Sequence, residues 1–286
     1  MGMLHYRYML GVILASIGTF FEEVADSIGK RKVATHEEGI FTMGFLHFIW
    51  GLLLFAGIAV FREGAFVFSA ASLPTFVVRA MLEIFQLHLT LVALASADRT
   101  TFGFVRTGTI PILLLLDVAF GYTLGASHIM GMGLIMVALV ALFLNHGIRR
   151  PGLGFVIVTT VNAALTISLY KYHITHFNSV VAEQLIINVI LLCYTTGLAL
   201  FVSNERPWRF LARPIFLTES LASGIGSVIE SFAFGFAPAS IILAAKRSSS
   251  VFWATVSGNV VFHERHLLLK LLAFLLLATG LVLLVR

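Results

Sequence analysis

The sequence predicts an all-α, polytopic membrane protein of about ten transmembrane helices in two inverted five-helix repeats. Composition is the first observation behind this. Of 286 residues, 59% are hydrophobic and only 12% are charged, and the mean hydropathy is +0.98, whereas soluble domains carry about 25% charged residues. The second observation is that the apolar residues fall in continuous runs near the ~20 residues that cross a bilayer core. They lack the alternation that a membrane barrel requires. The third is a pattern that recurs after about 140 residues: Arg106 falls on Lys246, Gly108–Ile110 on Ser248–Ser250, and Leu124 on Glu264. Each copy reads as a cation near a helix start, an apolar helix, a short turn and a very apolar helix. Five is odd, so two fused five-helix copies lie in opposite orientations in the membrane.

The expected spans are 8–29, 42–61, 72–95, 100–120, 127–146, 152–173, 179–202, 214–236, 239–261 and 267–285, with repeats covering 1–147 and 148–286. Loops of a few residues leave no room for a soluble domain between them. The first span has a clean apolar run only over Tyr8–Phe21. Glu22, Glu23, Asp26 and Lys30 follow, with Glu22 and Asp26 one turn apart. Either the inner half of this helix lines a polar cavity, or the helix ends near Phe21 and the acids are interfacial.

The third span places Arg79, Glu83, Gln86 and Thr90 on one face. An arginine and a glutamate four residues apart can neutralise each other. The eighth span, its counterpart, carries Glu219, Ser223, Ser227 and Glu230 on one face. Two equivalent striped helices suggest a common central space; interhelical hydrogen bonding uses the same stripes. The sixth span adds Thr159, Asn162, Thr166 and Tyr170, followed by Lys171, and the seventh adds Glu183, Gln184 and Asn188. Glu183 suits an interface equally well. In the fourth span Pro111 interrupts the helix. Arg106 either enters the membrane or snorkels, and Asp117 reads as interfacial.

The fifth and tenth spans are almost free of polar residues. They read as scaffold or dimer-contact helices, with Gly131 and Gly133 permitting close approach. Pro238 separates the eighth and ninth spans. The ninth opens on Lys246, Arg247 and three serines, and the turn His263-Glu264-Arg265-His266 joins it to the tenth. Charges cost at least ~2.5–3.5 kcal/mol each at a helix centre, so Lys246 and Arg247 should not face lipid.

Other chemistry is sparse. The net charge of +5 is better explained by loop cations that set topology than by nucleic-acid binding. Cys193 is the one cysteine, so no intrachain disulfide forms. His173-x-x-His176 and His263-x-x-His266 have metal-sharing spacing, but no third ligand is near and loop histidines explain them more simply. No cofactor is expected. No GxSxG, HExxH or P-loop motif is present, which argues against an enzyme or an ATP-driven pump. No small-x-small cleavage site follows the first apolar run.

The stretch AKRSSSVFWATVSGNVVFHER followed by LLAFLLLATGLVLL resembles the end of EamA-type transporters of the drug/metabolite transporter superfamily. Arg106, Pro111, Gly121, Gly125, Gly131 and Gly133 are similar to the corresponding first-half pattern, although Gly125-Ala126-Ser127 lacks a frequent glutamate. The resemblance covers most of the chain in layout and the last fifty residues in motif. It implies alternating-access transport, as import or export, of a small metabolite of the amino acid, amine or drug-like class. It also implies a multi-pass protein, in the cytoplasmic membrane if bacterial.

The residues expected around the substrate are Glu22, Asp26, Arg79, Glu83, Asn162, Tyr170, Glu230 and Lys246. Arg79 or Lys246 would hold a carboxylate or phosphate. Glu22 or Glu230 would hold an ammonium or a coupling proton, since burial disfavours the charged form of a carboxyl. Expected partners are a small solute, the lipid bilayer, a proton or other coupling ion, and a second copy in a homodimer. The alternative is a translocator of lipids or lipid-linked intermediates, with Lys246 and Arg247 on a head-group phosphate. Loop cations, by the positive-inside rule, put both termini outside; the resemblance puts both in the cytoplasm.

Overall fold

A computed structural model describes residues 2–96, 105–122, 124–144, 152–262 and 267–285. Among these residues the chain forms ten α-helices, two short 3-10 helices and no strand. The helices are α1 (Gly2–Ala34), α2 (Ile40–Phe61), α3 (Leu73–Ser96), α4 (Thr109–Ala119) and α5 (Ala126–Leu144). They continue as α6 (Leu153–His176), α7 (Val180–Phe201), α8 (Pro214–Ala233), α9 (Ala239–Phe262) and α10 (Leu267–Val285). Five meet the length and apolarity needed to cross a membrane, within Tyr6–Ala34, Ile40–Phe61, Ala70–Ala93, Leu153–His176 and Val180–Phe201. The apolar helix Thr109–Ala119 is shorter, and apolar stretches of α5 and α10 run over Ala126–Ala141 and Leu275–Leu284. The polar stripe of α8 and the cations of α9 set these two apart. The turn at 263–266, Arg99, Arg149 and Arg150 lie outside the described residues.

Polarity runs opposite to that of a water-soluble bundle. Phe61, Leu115, Met130, Phe201 and Leu275 are exposed, while Arg79, Glu183, Glu219 and Glu230 are buried. Such an apolar exterior around a polar interior suits a lipid environment.

α1 does not end at Phe21. It runs unbroken through Glu22, Glu23 and Asp26, which removes the alternative of a helix stopping before the acids. At ~1.5 Å per residue it is about 50 Å long, longer than a ~30 Å bilayer core.

Helix packing is largely between the two halves of the chain. α1 lies on α8 and α9, α2 on α7 and α8, α3 on α6 and α7, α4 on α6 and α9, and α5 on α10. Small residues set the closest crossings. A Cβ on Gly226 would lie 2.9 Å from the Gly18 carbonyl oxygen, and one on Gly224 would lie 2.7 Å from the Gly51 nitrogen. Gly131 serves the α5–α10 crossing, where its Cβ would meet the Gly280 oxygen at 2.7 Å. Among the described residues Gly133 has nothing within 4 Å of the same position, so within the chain the close approach is made at Gly131.

Two helix starts are capped by carboxylates from elsewhere in the chain. Glu205, between α7 and α8, accepts from the Gly39 amide at 3.0 Å and from Thr42 Oγ1 at the start of α2. Asp117 at the end of α4 accepts from the Ser240 amide of α9 at 2.8 Å and is 2% exposed. Asp117 is therefore a buried cap. An anion beside free helix N–H groups is stabilised by them and by the helix dipole.

Candidate functional site

A cavity of about 300 Å³ opens between the halves, lined from α1, α2, α3, α6, α7, α8, α9 and the helical residues 105–106 before α4. Its charged lining residues are Glu22, Arg79, Glu83, Arg106, Glu230, Lys246 and Arg247. Six of the eight sequence-derived candidates meet here: Glu22, Arg79, Glu83, Tyr170, Glu230 and Lys246. Asn162 does not line it. Its Nδ2 donates to the Leu82 carbonyl and to Gln86 Oε1, both at 2.9 Å. The amide is consumed in joining α6 to α3. Asp26 is exposed and lies one turn beyond Glu22, outside the lining. A helix face curving past a compact cavity presents one of two residues a turn apart to it, and here that residue is Glu22.

The α3 stripe behaves as one unit, with Arg79, Glu83, Gln86 and Thr90 all lining the cavity. The α8 stripe divides. Ser227 and Glu230 reach the cavity, while Ser223 donates to the His47 carbonyl of α2 at 3.1 Å, and Ser220, beside the stripe, to the Leu46 carbonyl at 2.5 Å. Fully buried Glu219 sits 3.5 Å from His47 Nε2. The lower half of that stripe therefore serves helix association.

Two ionic clusters flank the space. In the first, Lys246 Nζ lies 2.6 Å from Glu22 Oε2 and 2.6 Å from Glu230 Oε1. The Gly18–Gly226 crossing makes this possible by bringing the α1 and α8 backbones close enough for the two carboxylates to share one ammonium. In the second, Arg79 Nη1 bonds Glu183 Oε2, and Nη2 lies 3.3 Å from Glu83 Oε1. The Tyr170 ring covers the Arg79 guanidinium at 4.7 Å, and its hydroxyl donates to the Ser231 carbonyl at 2.9 Å. Glu183 also accepts from Asn178 Nδ2 at 2.5 Å and lies 3.1 Å from His173 Nδ1.

Glu183 and His173 are both fully buried, and His173 lies within α6 and not in a loop. The local signal for Glu183 was the Asn178-Ser179 pair. Ser179 Oγ accepts from the Ala182 amide at 3.1 Å, which starts α7 before Glu183 and sets that acid inside the first turn. His173 Nε2 contacts Thr75 Oγ1 at 2.9 Å, so it is used in packing. Among the described residues, no group of three or more His, Cys, Asp or Glu is placed to hold a metal ion.

Arg79 and Lys246 thus already face two carboxylates each, which undercuts their expected role as anion holders. Arg247 differs. It lines the cavity, makes no ion pair among the described residues, and its Nε is buried without a hydrogen-bond partner. Sequence alone could not rank Lys246 against Arg247: both line the cavity, and the carboxylates that take up Lys246 come from α1 and α8, which no local pattern shows.

No protein-family model and no curated protein matches the chain. A solved structure described only as "Crystal structure of protein" is similar along almost the whole length. Its TM-score is 0.68 at 13% identity, covering 99% of this chain and 96% of its own. At that identity the likeness speaks to fold alone.

Proposed function

We propose that the chain is a secondary transporter that carries a small metabolite across the membrane by alternating access, and not an enzyme. The observation that carries this reading is the charged cavity within an apolar helical bundle, lined from both halves of the chain. Charge in hydrocarbon is costly and marks pathways in membrane proteins. A volume of about 300 Å³ sits at the small end of ligand sites. It suits an amino acid, amine or similar solute.

Ten spans in two inverted repeats, 1–147 and 148–286, give the frame for alternating access at the repeat interface. The packing supports that frame. Replacing each helix n by n+5 turns the α1–α8 contact into α6–α3, α1–α9 into α6–α4 and α2–α8 into α7–α3, while α2–α7, α4–α9 and α5–α10 map onto themselves. The resemblance to EamA-type drug/metabolite transporters points the same way.

The Glu22–Lys246–Glu230 cluster is the coupling element in this proposal. One ammonium between two carboxylates leaves a net negative charge, and a single proton taken up there neutralises the cluster.

Access to the cavity from both faces tests the proposal. A Ser227→Cys reporter in a Cys193→Ala background, probed with a membrane-impermeant maleimide from each side of oriented vesicles, should react from both. Reaction from one face only would overturn alternating access.

A further inference from the structure

The cations of the cavity differ in how they are neutralised. Lys246 and Arg79 each have two carboxylates, at the contacts described above. Arg247, one residue further along α9, has no ion pair or hydrogen bond among the described residues. The charges that act on it are Glu22 and Glu23 of α1, Glu230 of α8, Lys246 of its own helix, and Arg106 in the helical residues 105–106 before α4. Arg106, another cation, lines the same cavity as Arg247. The two nearby acids that line the cavity, Glu22 and Glu230, are already bonded to Lys246. Two guanidiniums therefore border one small space with the second lacking an anion. Arg247 is half-buried with its Nε out of reach of solvent; a charge partly withdrawn from water without a partner is unfavourable, and the cavity is where a partner can enter.

We infer that the cavity binds a small solute through an oxyanion, a carboxylate or a phosphate, received by Arg247 with Arg106 beside it. This rests on the cavity being the transported ligand's site, as proposed above. Guanidinium groups suit this task because their planar N–H fork matches carboxylate and phosphate oxygens in pairs. The rest of the lining sets what the remainder of the solute can be. Gln86, Thr90, Gln184, Asn188 and Ser227 offer neutral hydrogen-bonding groups, so the body of the ligand is polar and compact. A carboxylate on a metabolite, a free phosphate ester and a phospholipid head group share the chemistry that Arg247 recognises.

Thermal unfolding of the full-length protein in detergent tests this. Inorganic phosphate, succinate and glycerol 3-phosphate are the anionic probes; glycerol and tetramethylammonium, at equal ionic strength, are the controls. Binding to the folded state raises Tm. The anionic probes should raise it and the controls should not. Arg247→Gln should abolish the shift. Arg247→Lys keeps the charge but loses the fork, and should weaken apparent affinity about tenfold, as expected for one charged hydrogen bond. If Arg247→Gln does not fold, judged by circular dichroism and gel filtration, Arg247→Lys carries the test alone. Stabilisation by tetramethylammonium but not by anions would overturn the inference. So would an undiminished anion response in either folded variant, or no response of the wild type to any probe.

Nanodiscs of phosphatidylglycerol, or of an uncharged galactolipid that carries no phosphate, separate the two sources. A soluble solute predicts the same phosphate response in both lipids. A response already saturated in phosphatidylglycerol assigns the oxyanion to a head group. Anion binding without transport would sink the transport reading and spare this one, whereas transport of cations alone would do the reverse.

Discussion

Lys246 of α9 meets Glu22 of α1 at 2.6 Å, an ion pair that joins the two ends of the sequence inside the bundle. It depends on backbone contact elsewhere. At the α1–α8 crossing a Cβ on Gly226 would sit 2.9 Å from the Gly18 oxygen and 3.1 Å from the Glu22 nitrogen. These atoms belong to a helix backbone and cannot swing away. Gly226→Leu should therefore separate α1 from α8 and lower the folded yield severalfold. Gly133→Leu, at a position with open space around it, should leave yield and Tm close to wild type. Gel filtration of both variants checks the contrast.

The Arg79–Glu183 pair is 1% and 0% exposed. Removing one member of a buried pair strands the other, at about 3–5 kcal/mol. Arg79→Met should lower stability by that order. The double variant Arg79→Met/Glu183→Leu should lose less than the sum of the single changes, because neither charge is left alone. Denaturant unfolding in mixed micelles provides the four corners of the cycle.

Glu230 and Glu22 share Lys246, so a proton at this cluster changes its net charge from negative to neutral. Glu230→Gln fixes the neutral state. Uptake into proteoliposomes should lose its dependence on a pH gradient while exchange at equal pH persists. A pH dependence identical to wild type would remove Glu230 from the coupling role.

Glu38 lies in the connection between α1 and α2, 3% exposed, with neither carboxyl oxygen hydrogen-bonded. Burial, and then the nearby charges of Glu219 and Glu205, push it up to about 9. The unfolded chain ionises this group near the ordinary carboxyl range, so between there and about pH 9 the folded state holds the extra proton. Stability is then greatest below the unfolded value and falls as pH rises through the folded one. Wild-type Tm should drop between pH 5 and pH 9. Glu38→Gln should flatten that slope and be more stable than wild type at pH 8. A slope unchanged in Glu38→Gln would show that another group carries it.

Much of the helical layout was legible because continuous apolar runs leave few alternatives: α7 was expected at 179–202 and lies at Val180–Phe201. The α3 stripe was equally plain, since all four polar residues repeat at helical spacing and turn to one space. The α8 stripe was not. Its serines and Glu230 are indistinguishable by period, and only the height at which α2 crosses assigns Ser223 to α2 and Glu230 to the cavity. Asn162, expected at the cavity, and the capping role of Asp117 were out of reach for a related reason. A polar side chain in an apolar helix can serve a ligand, a neighbouring carbonyl or a helix start, and the partner lies on another helix.

Counterflow in proteoliposomes tests the central claim most directly. Vesicles preloaded with unlabelled amino acids, amines, nucleosides and small carboxylates or phosphate esters are diluted into the same compounds in labelled form. The account predicts transient accumulation of one class in wild-type vesicles and loss of that signal in Arg247→Gln. No accumulation of any class, from protein shown to be folded and correctly inserted, would contradict transport as the function of this cavity.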